Sequence, residues 1–209
     1  MTKKRFFYVL FFIMLIAVFI FVLTKVIPGF GDVKLPVLSY VKPFSFTDQN
    51  GNRITEKDTN GKVYIAEYFF TTCKGICPKM NTNMKKIHEE FNKEKNFLIM
   101  SHTVDPEIDK VEKLKRYADS LGTSAENWHF LTGRKDSLYY AARVSYLLDD
   151  PQNNNVKIEQ QFLHTQFLAL VDKKGRVRKL YDALKRDEVE ELTGDINKLL
   201  REKSTNKNL

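Results

Sequence analysis

Lys62-Val63-Tyr64-Ile65-Ala66-Glu67-Tyr68-Phe69-Phe70-Thr71-Thr72-Cys73-Lys74-Gly75-Ile76-Cys77-Pro78 is the stretch from which the rest of the chain is read. Lys62 to Phe70 is rich in Val, Ile, Tyr and Phe, the composition of a buried strand, and it ends at Thr71-Thr72-Cys73. Pro78 suits the first turn of a helix, and up to Lys93 the residues Met80, Met84, Ile87 and Phe91 recur at helical spacing. A strand therefore passes into a helix across two cysteines.

Downstream, Phe97 to Ser101 reads as a second strand, Val111 to Leu121 as an amphipathic helix ended by Gly122, Trp128 to Leu131 as a third strand and Asp136 to Tyr146 as a further helix. This alternation implies an α/β fold with parallel strands. After the Asn-rich stretch Gln152 to Asn155 the pattern changes. Gln166 to Val171 and Arg176 to Tyr181 flank Asp172-Lys173-Lys174-Gly175 as a hairpin, and Glu188 to Glu202 closes as an amphipathic helix with Val189, Leu192, Ile196, Leu199 and Leu200 inward. A parallel unit followed by a hairpin and a final helix is the thioredoxin order, a central mixed sheet flanked by helices. Upstream, Phe44-Ser45-Phe46 and Arg53-Ile54-Thr55 flank an Asn-Gly turn as a short hairpin. There is no internal repeat.

The N-terminus reads differently. Lys3, Lys4 and Arg5 precede an uncharged run from Phe6 to Leu23, which as a helix reaches roughly 27 Å, close to the hydrocarbon thickness of a bilayer. The basic cluster before the run keeps the N-terminus in the cytoplasm and places the chain beyond Lys25 across the membrane. A cleaved signal peptide is the rival, but Leu23-Thr24-Lys25-Val26-Ile27 offers no small-residue cleavage site. The expected organisation is a cytoplasmic N-terminus over 1–5, one transmembrane helix over 6–25, a Pro- and Gly-containing tether over 26–43, the domain over 44–203 and a polar tail over 204–209. With no Arg- and Ser-rich presequence before the anchor, the expected location is the bacterial cytoplasmic membrane, single-pass, with the domain on the periplasmic or extracytoplasmic side.

The formal charge of +8 falls to +5 without the three anchoring basic residues, a balance that suits anionic headgroups or an acidic partner surface. Nucleic acid is excluded as a partner class, because the domain is exported and its Lys and Arg residues are interleaved with Asp and Glu.

The exported part has two cysteines, Cys73 and Cys77. On a helix their Cα atoms would lie about 6 Å apart, within disulfide range. As a structural staple so small a loop contributes only about 2 kcal/mol. The chemical readings share another basis: a strand-to-helix junction holds both sulfurs near a helix N-terminus, where amide dipoles favour thiolate, the form that attacks disulfides and ligates metals. Lys74 adds positive charge. Pattern alone leaves redox and metal chemistry open.

In an open α/β sheet the functional crevice lies at the carboxyl ends of the parallel strands, where Cys73 stands. If Gln166 to Val171 runs antiparallel to the strand before Cys73, its beginning, just after His164, falls on the same edge. His102 also follows a strand and is a second candidate. His88, along its helix, and His129, inside a short strand, read as structural or exposed. Met80 and Met84, with Ile87 and Phe91, read as core, and Asp105-Pro106 as shaping a loop near the site.

Phe70-Thr71-Thr72-Cys73-Lys74-Gly75-Ile76-Cys77-Pro78, the strand ending Val104-Asp105-Pro106, and Leu163-His164-Thr165-Gln166 through Gly175 resemble the SCO/SenC family in order and spacing, over about Phe44 to Leu200. The resemblance implies a copper site of Cys73, Cys77 and His164, one copper per domain. Soft thiolates with one imidazole suit Cu(I) and also hold Cu(II). It further implies delivery of copper to, or reduction of the cysteines of, the dinuclear copper centre of cytochrome c oxidase. The partner is then the copper-site subunit of that enzyme or another copper or thiol protein, met by a monomer or weak dimer. The chain departs from the family in Lys74-Gly75, where Pro-Asp is common, and in Asp109-Lys110-Val111, where Asp-Thr-Pro is often found; Lys74 should weaken a cation site and favour thiol chemistry.

The resulting expectation is a metallochaperone, a binding protein rather than an enzyme. Its rival is a thiol-disulfide oxidoreductase with Cys73 and Cys77 as the redox pair, which needs no His164. A peroxidase-like enzyme of the same fold would require an Arg-assisted peroxide pocket that the sequence does not supply, and an exported domain with a local disulfide remains the plainest alternative.

Overall fold

The computed structural model describes residues 3–26, 34–123, 126–163 and 165–202. The chain divides into two compact units, Met1–Leu35 and Pro36–Leu209. The first contains helix α1, Lys3–Val26. Within it Lys4–Leu23 is long and apolar enough to cross a membrane, with a mean hydropathy of 3.1.

The second unit is built on one six-stranded sheet. Its strands are β1 (Ser39–Tyr40), β4 (Val63–Phe69), β5 (Phe97–Thr103), β6 (Trp128–Leu131), β7 (Phe167–Val171) and β8 (Arg176–Asp182), in the order β1-β8-β7-β4-β5-β6. β4, β5 and β6 are parallel, and β7 runs antiparallel to β4 with Ile65 opposite Leu170 and Ala66 opposite Ala169. The Phe167 end of β7 therefore lies toward the carboxyl end of β4. A separate hairpin, β2 (Ser45–Thr47) with β3 (Arg53–Thr55), joins the domain through a Thr47–Thr132 bridge. Its turn uses Gly51 at φ 82°, a conformation that costs glycine little.

Strand alternation sorts the core into two layers. Tyr64, Ala66 and Tyr68 of β4 face one side with Phe46, Met100, Leu131 and the buried residues of α4 (Lys135–Tyr140) and the turn after it. Ile65, Glu67 and Phe69 face the other. There α2 (Cys77–Phe91) brings His88 to Trp128, α3 (Val111–Leu121) stacks Tyr117 on Phe69, and α5 (Arg186–Arg201) places Asp195 where the Tyr181 hydroxyl donates to it at 2.7 Å. Met80 and Met84 are core, and Leu192, Ile196 and Leu199 are the buried stripe of α5. Each such fully buried large apolar side chain stabilises the fold by roughly 1.5–3 kcal/mol. Gly122 caps α3 in the left-handed region, at φ 67°.

The structure corrects two expectations of local form. The stretch expected as a tether to Pro43 is already part of the sheet at β1: the amides of Leu38 and Val41 donate to Val177 and Gly175 at 2.8 Å, and the Lys42 amide to Ser145 Oγ at 3.0 Å. A two-residue strand carries no periodicity, so only its partners define it. The helix expected to run regularly from Asp136 to Tyr146 instead widens after α4 into a π-helical turn, Ala141–Ser145. The buried Arg143 guanidinium in that turn binds Asp149, Asn154 and Gln161, so the next loop is folded around a side chain on the helix.

Candidate metal and thiol site

β4 delivers the chain to the carboxyl edge of the sheet, and the Cys73 amide donates to Phe70 O at 3.2 Å, closing a turn. α2 then starts at Cys77, with Pro78 in its first turn, where its missing N–H leaves no bond unmade. Cys73 is half-buried and Cys77 is 4% exposed; both are free thiols.

The two sulfurs are not equivalent, which corrects the expectation that the helix terminus favours thiolate on both. Burial pushes the Cys73 thiol up, but hydrogen bonds from the Cys77 thiol and from the Cys77, Gly75 and Ile76 backbone more than offset it, so Cys73 is held below its ordinary value. Burial pushes Cys77 well above its ordinary value, reinforced by its hydrogen bond to Cys73. Cys73 is thus the more acidic of the two sulfurs, and the Cys77 thiol is the donor that favours its ionised form.

On the inner side lies a group that reading the sequence did not single out. Glu67 is 1% exposed, accepts from Ser101 Oγ at 2.5 Å, and has no hydrogen-bond partner for Oε2 among the described residues. Burial raises its carboxyl to about 7. When ionised it also pushes the Cys77 thiol upward, behind the larger effects of burial and Cys73. One acidic residue in an otherwise apolar strand buried on both faces was the available signal.

On the outer side the segment entering β7 is packed against the ends of the parallel strands. Phe162 meets Phe70 edge-on at 5.1 Å. The Leu163 amide donates to the Tyr139 hydroxyl at 3.1 Å, which itself donates to Val104 O, just past β5, at 3.0 Å. His164 lies outside the described residues. Among the described residues no cluster of three His, Cys, Asp or Glu side chains forms a metal site.

The other histidines are placed clearly. His102, the second candidate, is inside β5 and fully buried, stacked on Tyr68 at 4.9 Å and edge-on to Phe46 at 5.5 Å. Burial pushes its imidazole down to about 4, and it serves the core beneath the hairpin rather than the cysteine loop. The reason is register: β5 extends two residues further than its apolar composition indicated. His88 pairs with Asn127 at 2.8 Å and His129 faces Asp48 at 3.5 Å, both structural. A cleft of about 1110 Å³ bordered by Lys42, Arg53, Lys57, Arg134 and Tyr140 includes none of the cysteine-loop residues.

A mixed sheet with helices on both faces, and a strand-to-helix dithiol at its carboxyl edge, defines a thioredoxin-like protein with a cysteine-pair site. Known relatives narrow this class. The SCO1/SenC family profile matches residues 35–201, and the chain belongs to that family. It is 31% identical over 172 residues to the SCO1 protein homolog of Bacillus subtilis, covering 80% of this chain and 86% of that protein. Among solved structures, BsSco, a member of the Sco family of cytochrome c oxidase assembly proteins in which a disulfide switch has been identified, superposes with a TM-score of 0.68 at 30% identity, covering 82% of this chain and 99% of that one. ScoI of Bradyrhizobium japonicum, solved with copper bound, shares the fold at a TM-score of 0.61 and 23% identity, covering 78% of this chain and 100% of that one.

Proposed function

We propose that the protein is a membrane-anchored metallochaperone that carries one copper ion on Cys73, Cys77 and His164 and serves assembly of the dinuclear copper centre of cytochrome c oxidase. The observation that carries the reading is the packing of Phe162 on Phe70 and the link from Leu163 through the Tyr139 hydroxyl to Val104, which bring the chain before β7 to the edge that presents Cys73. The donor set fits the cargo: two thiols that metal binding would deprotonate, Cys73 the more readily, and an imidazole are soft to intermediate donors of the kind Cu(I) prefers. Family membership and the relatives' names support the oxidase as destination. The anchor is α1, with the domain on the extracytoplasmic side.

The cysteine asymmetry supports a second reading, a thiol-disulfide oxidoreductase. The Cys73 thiolate attacks a partner disulfide and releases one partner thiolate. Cys77 then attacks the Cys73 sulfur of the mixed disulfide and expels the second, so two electrons pass to the partner and Cys73–Cys77 closes. Lys74, the next residue in the chain, adds positive charge of the kind that favours this chemistry.

Copper titration of the reduced full-length chain in detergent separates the two. The chaperone reading expects one Cu(I) per chain, loss of tight binding in Cys73→Ser and Cys77→Ser, and weaker binding in His164→Ala. Wild-type protein that takes no copper yet reduces a disulfide substrate, with His164→Ala equally active, establishes the oxidoreductase instead.

A further inference from the structure

Asp109 is 1% exposed, at the end of the loop joining β5 to α3, and its single carboxylate gathers the two strand ends that frame the cysteine loop. Oδ2 accepts the Thr71 amide at 3.0 Å and the Thr103 hydroxyl at 2.7 Å, while Oδ1 accepts the Thr71 hydroxyl. The Lys113 ammonium lies 3.3 Å from Oδ1. Thr71 stands two residues before Cys73, and Thr103 is the last residue of β5. The loop is folded tightly around this carboxylate: the amides of Ile108 and Asp109 donate to Asp105 O at 3.1 and 2.8 Å, and the Asp105 amide donates to Thr103 Oγ1 at 3.0 Å.

By contrast the Cys73 amide bond to Phe70 O is local. It makes a turn but does not set where that turn sits against the neighbouring strand. The bonds from Thr71 to Asp109 do, and bonds to a buried carboxylate are stronger than neutral ones.

We propose that Asp109 is the positioning residue of the cysteine site, fixing through Thr71 the backbone from which Cys73 presents its sulfur to Cys77 and to an incoming metal. The proposal deepens the copper reading and rests on it. Asn at 109 replaces one acceptor oxygen with a donor that faces the hydroxyl and ammonium groups. Val at 71 keeps the shape and removes only the hydroxyl. Groups that orient metal ligands typically cost 10- to 100-fold in affinity when replaced.

The test is Cu(I) competition titration of the reduced full-length chain in detergent, beside backbone hydrogen exchange over residues 71–77 of the copper-free protein. Asp109→Asn and Thr71→Val are each expected to weaken copper binding about 10- to 100-fold. The double variant should be no weaker than Asp109→Asn alone, because both act through one contact. Lys113→Met, which leaves the Thr71 bonds in place, should bind copper like wild type. In Asp109→Asn, exchange should quicken at 71–77 and stay unchanged in β6 and α5. Wild-type affinity in Asp109→Asn, additive losses in the double variant, or unchanged exchange at 71–77 each overturn the proposal. If wild type itself takes no copper, the copper reading falls, and the exchange measurement still decides whether Asp109 holds the loop.

Discussion

The Ser101 hydroxyl donates to Oε1 of Glu67 at 2.5 Å and accepts the indole N–H of Trp128 at 2.8 Å, so a carboxyl within electrostatic reach of Cys77 is held by a single buried hydroxyl. Burial dominates this environment, and the neutral carboxyl is the form that the fold accommodates.

The stability of the domain should therefore depend on pH through Glu67. Its folded value of about 7 lies above the ordinary 4.5. The contribution is fully present below 4.5 and is lost as pH rises through 7, by at most about 3 kcal/mol. Relative to wild type, Glu67→Gln should gain stability progressively between these pH values, measured by urea unfolding of the full chain in detergent. A constant wild-type-to-variant difference from pH 4.5 to 8 would show that Glu67 is ionised in the fold.

His102 produces the opposite slope. Its folded value of about 4 lies below the ordinary 6.5, so protonating the unfolded chain is favoured in that window and stability falls as pH drops from 6.5 to 4. The magnitude is again about 3 kcal/mol at most. His102→Leu should remove this acid sensitivity, and its stability difference from wild type should shrink or reverse below pH 5. Because the Glu67 and His102 effects oppose each other, each single variant should reveal a steeper profile than wild type over pH 4.5–6.5.

Alkylation should distinguish the cysteines. Cys73 is half-buried with a depressed pKa, while Cys77 is buried with a raised one. At pH 7 iodoacetamide should label Cys73 at least about tenfold faster, as thiolate fraction and access dictate. Cys77→Ala, which removes a donor to the Cys73 sulfur, should move the pH midpoint of Cys73 labelling upward. Peptide mapping reads both, and equal labelling of the two sulfurs contradicts the assignment.

Arg143 is 7% exposed and donates to Asp149 Oδ2 from Nε at 2.9 Å, to Asn154 at 2.6 Å and to Gln161 at 2.7 Å. Arg143→Ala leaves the Asp149 carboxylate buried without its partner, which should cost about 3–5 kcal/mol. Hydrogen exchange should rise across 149–161. A loss under about 1 kcal/mol would mean that the loop holds its shape without the guanidinium.

Membrane topology can be read directly. A reporter fused after Leu209 should be active only outside the cytoplasm, because Lys3, Lys4 and Arg5 precede the apolar run. Cytoplasmic activity reverses the orientation, and release of the intact domain without α1 removes the anchor.

The parts of this protein that were legible in its sequence are those whose cause is local. Val63–Phe69, Val111–Leu121 with Gly122, and Trp128–Leu131 follow from side-chain periodicity and capping, and the cysteine pair from its position between a strand and a helix. The order of those elements was enough for the thioredoxin-like architecture, because short connections and right-handed crossovers leave few alternatives. The rest depends on residues far apart in the chain. Ser39–Tyr40 is a strand only because Val177 and Arg176 offer it an edge, and His102 is a core residue only because Tyr68 and Phe46 close over it. The acidity of Cys73 against Cys77 is set by which sulfur faces the amides and which faces the interior. The grip of Asp109 on Thr71, 38 residues earlier, has no signature in either segment alone. Hydrophobic pattern specifies which face of an element is buried, but not which polar atoms meet once it is; that depends on directional bonds and local desolvation, which exist only in the assembled structure.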